Sequence, residues 1–123
     1  MNKTILLIDD DEEEWLIFTE ALKETGILVK CFFAVSAEEG IKMLHRLLPD
    51  FVLVDINMPA VDGIKCLDII KRDKNLHKIP VIIYSTGIND SVSSEALKKG
   101  AVACIKKEGS IKQLAAKLKE ILF

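Results

Sequence analysis

The sequence predicts a doubly wound α/β domain of the (βα)5 kind, a five-stranded parallel sheet with helices on both faces. Three observations predict it. Five apolar runs rich in β-branched residues recur along the 123 residues, and amphipathic stretches with helical period lie between them. Three of the runs, at 5 to 8, 51 to 54 and 81 to 84, are apolar throughout rather than alternating, the pattern of strands covered on both faces.

TILLID, residues 4 to 9, reads as the first strand. Residues 11 to 25 open with four acids suited to the positive end of a helix dipole, carry Trp15, Phe18 and Leu22 on one stripe, and stop before Gly26, so they predict a helix. Asp11 is expected to cap it, and Trp15 to pack at or near the core. ILVKCFF, 27 to 33, is the second strand, and its interruption by Lys30 suggests a sheet edge. Ser36 followed by Glu39 matches a capping box, with Ile41, Leu44 and Leu48 continuing that helix until Pro49. FVLVD, 51 to 55, is the third strand; Gly63 to Lys74, with Ile64, Leu67 and Ile70, is the third helix. PVIIYS, 80 to 85, is the fourth strand, followed by a shorter, more polar helix from Asn89 to Lys99. AVACIK, 101 to 106, is the fifth strand, and Ser110 to Leu122 closes the series with Ile111, Leu114, Leu118 and Ile121 on one stripe.

These elements occupy the whole of residues 1–123 as a single domain, with no repeat, low-complexity tract or linker. Half the residues are apolar and 29% are charged, a globular composition. No apolar run approaches the roughly 18 residues of a membrane span, and MNKTILLIDD has too short an apolar segment for a secretory signal; a cytoplasmic protein without membrane insertion is expected. Cys31, Cys66 and Cys104 are odd in number and lack metal-type spacing, so they read as free, mostly buried thiols. Residues 1 to 62 hold 5 Lys and Arg against 13 Asp and Glu, a charge of -8, while residues 63 to 123 hold 12 against 6, a charge of +6. The acidic half suits a cation site. The lysine-rich half offers a docking face, although most of those lysines read as solvated helix surface. No basic helix suited to reading bases is evident, so direct nucleic-acid binding is not expected.

In an open doubly wound sheet, ligands bind beyond the carboxyl ends of the strands. The first strand delivers Asp9, Asp10 and Asp11 there, the third Asp55 and then Ile56-Asn57-Met58-Pro59, the fourth Ser85 and Thr86, and the fifth Lys106 and Lys107. Carboxylates about 4 Å apart repel by about 4 kcal/mol per pair at an effective dielectric near 20. Three such pairs rival the stability of a whole domain, roughly 5 to 15 kcal/mol, so a counter-charge is required. An all-oxygen donor set suits Mg²⁺; His45 and His77 lie away from the strand ends and read as surface residues, which disfavours zinc. A carboxylate held by a hard cation opposite a lysine and a hydroxyl is arranged for phosphoryl transfer. Asp55 fits the nucleophile's part because it closes an apolar strand and leads into a proline-containing loop.

The stretches ILLIDDD, FVLVDINMPAVDG, PVIIYSTG and GAVACIKK, in that order and spacing, resemble the receiver domain of two-component response regulators over essentially the whole chain, with the closest likeness to stand-alone receivers of the chemotaxis-regulator type. The resemblance implies a flavodoxin-like sheet of order 2-1-3-4-5 with no output domain. It implies Asp55 as phosphoacceptor, Asp9 and Asp10 as the acidic pair holding Mg²⁺, and Asn57 offering its backbone carbonyl to the metal. Ser85 takes the family's hydroxyl position and Lys107 its lysine. The partners it implies are a sensor histidine kinase or phosphotransfer protein upstream and an unknown protein downstream. Three positions depart from the family's pattern: Cys104 replaces the usual Tyr or Phe, Thr86 the usual Ala or Gly, and Glu108 the proline that follows the lysine. The first leaves the aromatic readout of phosphorylation without its ring. The second narrows access to the site, and the third removes the proline that favours a cis bond there.

The function expected is a phosphorylation-switched interaction protein rather than an enzyme, with intrinsic autophosphorylation and autodephosphorylation. Two alternatives stand beside it. A phosphorylation-independent adaptor on the same fold draws support from the three departures. An aspartyl-phosphate phosphohydrolase would want a second acid two residues after its nucleophile, where this sequence has Asn57, and a cap for which the chain has no room.

Overall fold

A computed structural model describes residues 3–58, 61–107 and 109–122. Strands and helices alternate: β1 (Lys3–Ile8), α1 (Glu12–Glu24), β2 (Val29–Ala34), α2 (Ala37–Leu47), β3 (Phe51–Val54), α3 (Gly63–Arg72), β4 (Val81–Ser85), α4 (Asp90–Lys98), β5 (Ala103–Lys106) and α5 (Ile111–Leu122). All pairings are parallel and the order is β2-β1-β3-β4-β5. This is the flavodoxin-like arrangement, and β2, carrying Lys30, is indeed an edge.

Side chains alternate across a strand, so each central strand feeds two cores. Leu6, Ile8, Val52, Val54, Val81 and Ile83 pack against α2, α3 and α4. Ile5, Leu7, Leu53, Ile82 and Tyr84 pack on the other face against α1 and α5. Both faces of β1, β3 and β4 are therefore covered, which is why their sequences are apolar throughout. Each fully buried aliphatic contributes on the order of 1.5–3 kcal/mol.

Polar side chains set the helix starts. Asp11 accepts from the Glu13 N–H at 3.0 Å and caps α1 as expected, and Ser36 accepts from Glu39 N–H at 3.2 Å to cap α2. Asp62 and Asn89 cap α3 and α4 in the same way, each at 2.9 Å. Gly26, in the left-handed region at φ 72°, turns the chain out of α1.

Most boundaries agree with the sequence reading to within one residue, and three differ by two. β2 starts at Val29 rather than Ile27, because Leu28 is 74% exposed on the connection from α1. β5 starts at Ala103, because Ala101 still donates to the Ala96 carbonyl at the end of α4. α3 stops at Arg72, where Asp73 turns to extended backbone. The thiols are also less buried than expected: Cys66 lies in the core, but Cys31 and Cys104 are half-buried. Burial pushes the Cys31 thiol up to about 12, and burial with the Asp62 charge does the same to Cys66, so both stay protonated near neutrality. His45 lies on α2 and pairs with Asp73 at 3.2 Å, and His77 lies in the turn after α3. Trp15 is half-buried and stacks on Phe33, with ring centroids 5.1 Å apart. Among the described residues no helix is long and apolar enough to cross a membrane.

Candidate phosphoacceptor site

The carboxyl ends of β1, β3, β4 and β5 converge at one edge of the sheet, and hydrogen bonds hold them there. Asp9 N–H donates to the Ala34 carbonyl, Asp55 N–H to Ile8, and Lys107 N–H to Ser85, each at 3.0 Å. β1 and β3 thus present Asp9 and Asp55 side by side, while β4 and β5 bring Ser85 and Lys107.

Asp9, Asp10 and Asp55 each offer an oxygen within 4.8 Å of the others. Asp9 is fully buried and Asp55 is 5% exposed, while Asp10 faces solvent. At that separation the buried pair repels by about 3.5 kcal/mol at an effective dielectric near 20. Lys107 relieves part of it: its ammonium contacts Asp9 Oδ2 at 2.5 Å and Asp55 Oδ2 at 3.5 Å. The remaining oxygens are bound locally, Asp9 Oδ1 by Asp11 N–H at 3.0 Å and Asp55 Oδ1 by Asn57 N–H at 3.1 Å.

Burial pushes the Asp9 carboxyl up to about 6, overcoming the lowering pull of Lys107 and the Asp11 N–H. Burial acts on Lys107 in the opposite sense, but the Asp9 hydrogen bond and the charges of Asp9, Asp55 and Glu14 outweigh it and hold the ammonium above its ordinary value. One positive charge therefore faces three carboxylates. The donor set fits a hard divalent cation: it is all oxygen, two members are fixed by backbone N–H groups, and the third opens to solvent.

The structure also separates the paired candidates. Ser85 is fully buried at the site, whereas Thr86 is exposed; Lys107 reaches the carboxylates, whereas Lys106 is exposed on β5. Asn57 lies two residues beyond Asp55, and its side-chain amide donates to Ser85 Oγ at 3.3 Å, as Gly87 N–H does at 3.4 Å. Cys104 sits beside Ile83 in the sheet register and packs towards α2, α3 and α4. Pro59 and Glu108, with the expectations about the loops that carry them, lie outside the described residues.

Three features escaped the sequence reading. Gly63 N–H donates to the Ile56 carbonyl at 3.0 Å, and a Cβ at Gly63 would overlap the Asp55 carbonyl and Ile56 Cα, so only glycine allows α3 to start against the acceptor loop. Trp15 Nε1 donates to the Asp9 carbonyl at 3.1 Å. Tyr84 donates its phenol to Glu14 at 3.0 Å and lies under the Lys107 ammonium, 5.1 Å from the ring centroid. Tyr84 reads as one more core residue of an apolar strand, and Glu14 as one more acid of a helix start; the need of a buried phenol for a partner is the only signal that could have joined them.

The fold and the lysine-faced acidic edge define a flavodoxin-like domain with an anionic site at its strand ends. The chain belongs to the response regulator receiver domain family, whose sequence profile matches residues 5–119. It is 30% identical over 116 residues to the probable C4-dicarboxylate response regulator DctR of Bacillus subtilis, covering 94% of this chain and 50% of that protein. With the phosphate regulon transcriptional regulatory protein PhoB of Pseudomonas aeruginosa it shares 29% identity over 122 residues, covering 99% and 52%. The chain thus spans about half the length of these relatives. The crystal structure of the phosphorylated cyanobacterial phytochrome response regulator RcpA superposes with a TM-score of 0.85 at 27% identity, covering 98% of this chain and 91% of that one. Membership carries the family's role, phosphorylation-switched two-component signalling, and the family's general use of Mg²⁺ at an acidic pocket.

Proposed function

We propose that Asp55 is the phosphoacceptor and that Asp9, Asp10, Asp55 and the backbone carbonyl of Asn57 hold Mg²⁺ beside it. The observation that carries this reading is the pairing of a nearly buried Asp55 with two further carboxylates and a lysine 3.5 Å away. An Asp55 oxygen attacks the donor's phosphorus, an O–P bond forms, and the bond to the donor breaks with its electron pair leaving on the donor. Bound Mg²⁺ supplies neutralising charge to the phosphoryl oxygens. Lys107 neutralises further charge from the β5 side, and the Ser85 hydroxyl, whose oxygen accepts from the Asn57 amide, has its own O–H to donate to a phosphoryl oxygen. The resulting aspartyl phosphate carries about 1.5 to 2 negative charges where the carboxylate carried one, and it projects them towards Lys107 and Ser85.

The donor in this reading is a sensor histidine kinase or phosphotransfer protein in the cytoplasm. Hydrolysis by the chain itself limits the signal's lifetime, and an unknown protein reads the altered α4-β5-α5 face. A time course of intact mass with acetyl phosphate tests the assignment. One phosphoryl group should appear only with Mg²⁺ and never in Asp55→Asn; Mg²⁺-dependent labelling that persists in that variant overturns it.

A further inference from the structure

Lys107 is held from a third side that the phosphoacceptor chemistry does not require. Its ammonium lies 5.1 Å from the centroid of the Tyr84 ring, inside the roughly 6 Å range of a cation over an aromatic face. The ring itself is fixed. It is 1% exposed, packs tilted against Phe18 with centroids 5.7 Å apart, and anchors its phenol to Glu14 on α1. Strand alternation puts Tyr84 on the α1 and α5 face, opposite to Cys104, so it does not restore the missing ring at 104.

Beyond Lys107 on that side lies a cavity of about 330 Å³ lined by Glu14, Tyr84, Lys107, Ser110, Ile111 and Leu114 among others. A flexible lysine beside such a space has an alternative to Asp55, because its stem can swing into the cavity and its ammonium can meet Glu14. The Tyr84 face lies against the ammonium at the edge of that cavity and competes with it for the charge, which favours the carboxylate side. We propose that Tyr84, locked by Glu14, is a positioning residue for Lys107, and that this aromatic seat keeps the ammonium within reach of a phosphoryl group arriving on Asp55. The kinetic part of this inference rests on Asp55 being the acceptor.

The test has two arms. In the first, Lys107 methylene protons of the unphosphorylated protein should show an upfield ring-current shift by NMR that is kept in Tyr84→Phe and lost in Tyr84→Leu. Wild-type methylene signals without that shift overturn the seat. In the second, acetyl phosphate with Mg²⁺ should label Tyr84→Leu roughly 3- to 10-fold more slowly than wild type. Tyr84→Phe should remain within about twofold, and Mg²⁺ affinity, read by the emission of Trp15, the single tryptophan, should be unchanged in both. Wild-type labelling kinetics in a folded Tyr84→Leu overturn the proposal. Should that variant not fold, Tyr84→Met, which fills the site without a ring, should likewise lose the ring-current shift and slow labelling; wild-type labelling kinetics in it overturn the proposal. A wild-type protein that takes no phosphate refutes the acceptor reading of Asp55, while the ring-current arm still decides the seat.

Discussion

Replacing Asp9 by asparagine should make the metal-free protein more stable at neutral pH. Asp9 is fully buried, and burial lifts its carboxyl from 3.8 to about 6, so the folded state favours the neutral form. The stability associated with such a raised carboxyl is fully present below the unfolded value and is lost as pH rises through about 6. At 1.36 kcal/mol per unit, ionising Asp9 costs the fold about 3 kcal/mol at pH 7, about 1.5 at pH 5 and about 0.5 at pH 4. Asp9→Asn keeps the shape without the charge, so the metal-free variant should gain up to about 3 kcal/mol at pH 7, roughly 10 °C in Tm, and almost nothing at pH 4. Urea or thermal melts in chelator across that pH range measure the difference. A variant less stable than wild type at pH 7, or a gain independent of pH, would refute the reasoning that burial of the Asp9 charge outweighs its contacts with Lys107 and the Asp11 N–H.

Three further outcomes follow from the same geometry. With Asp9 as a ligand in the proposed site, Mg²⁺ would compete with its proton, so affinity should weaken as pH falls below about 6, by up to tenfold per unit, in a titration followed by Trp15 emission. Gly63→Ala forces a methyl group onto the Asp55 backbone and should cost about 1–3 kcal/mol in urea unfolding while slowing phosphoryl uptake. Leu44→Ala empties a fully buried position of α2 far from the acidic edge and should cost about 2–5 kcal/mol by the same melts, with Mg²⁺ affinity unchanged.

The layered sheet was legible because β1, β3 and β4 are buried on both faces, which leaves no room for polar residues until the strand ends. The edges were less so. Ile27 and Leu28 look like strand residues, yet Leu28 is exposed, because apolar composition does not distinguish a strand from the connection that enters it. At the site, Asp9, Asp10, Asp55, Ser85 and Lys107 could be gathered from one rule about strand ends. The choice of Lys107 over Lys106 and of Ser85 over Thr86 needed the family resemblance, since neighbouring residues leave a strand towards opposite faces and the exit direction is not written in either residue. The Tyr84–Glu14 bond spans 70 positions and joins two side chains that each have an adequate local explanation, so no local pattern could announce it. The close approach at Gly63 is of the same kind, visible only once α3 is seen against the acceptor loop.

The central claim concerns one carboxylate among three, and chemical trapping distinguishes them. Borohydride reduces an aspartyl phosphate to homoserine, so peptide mass spectrometry after treatment with Mg²⁺, acetyl phosphate and borohydride reads the phosphorylated position directly. Homoserine should appear at position 55 alone. Its appearance at position 9 or 10 with position 55 intact would contradict the account.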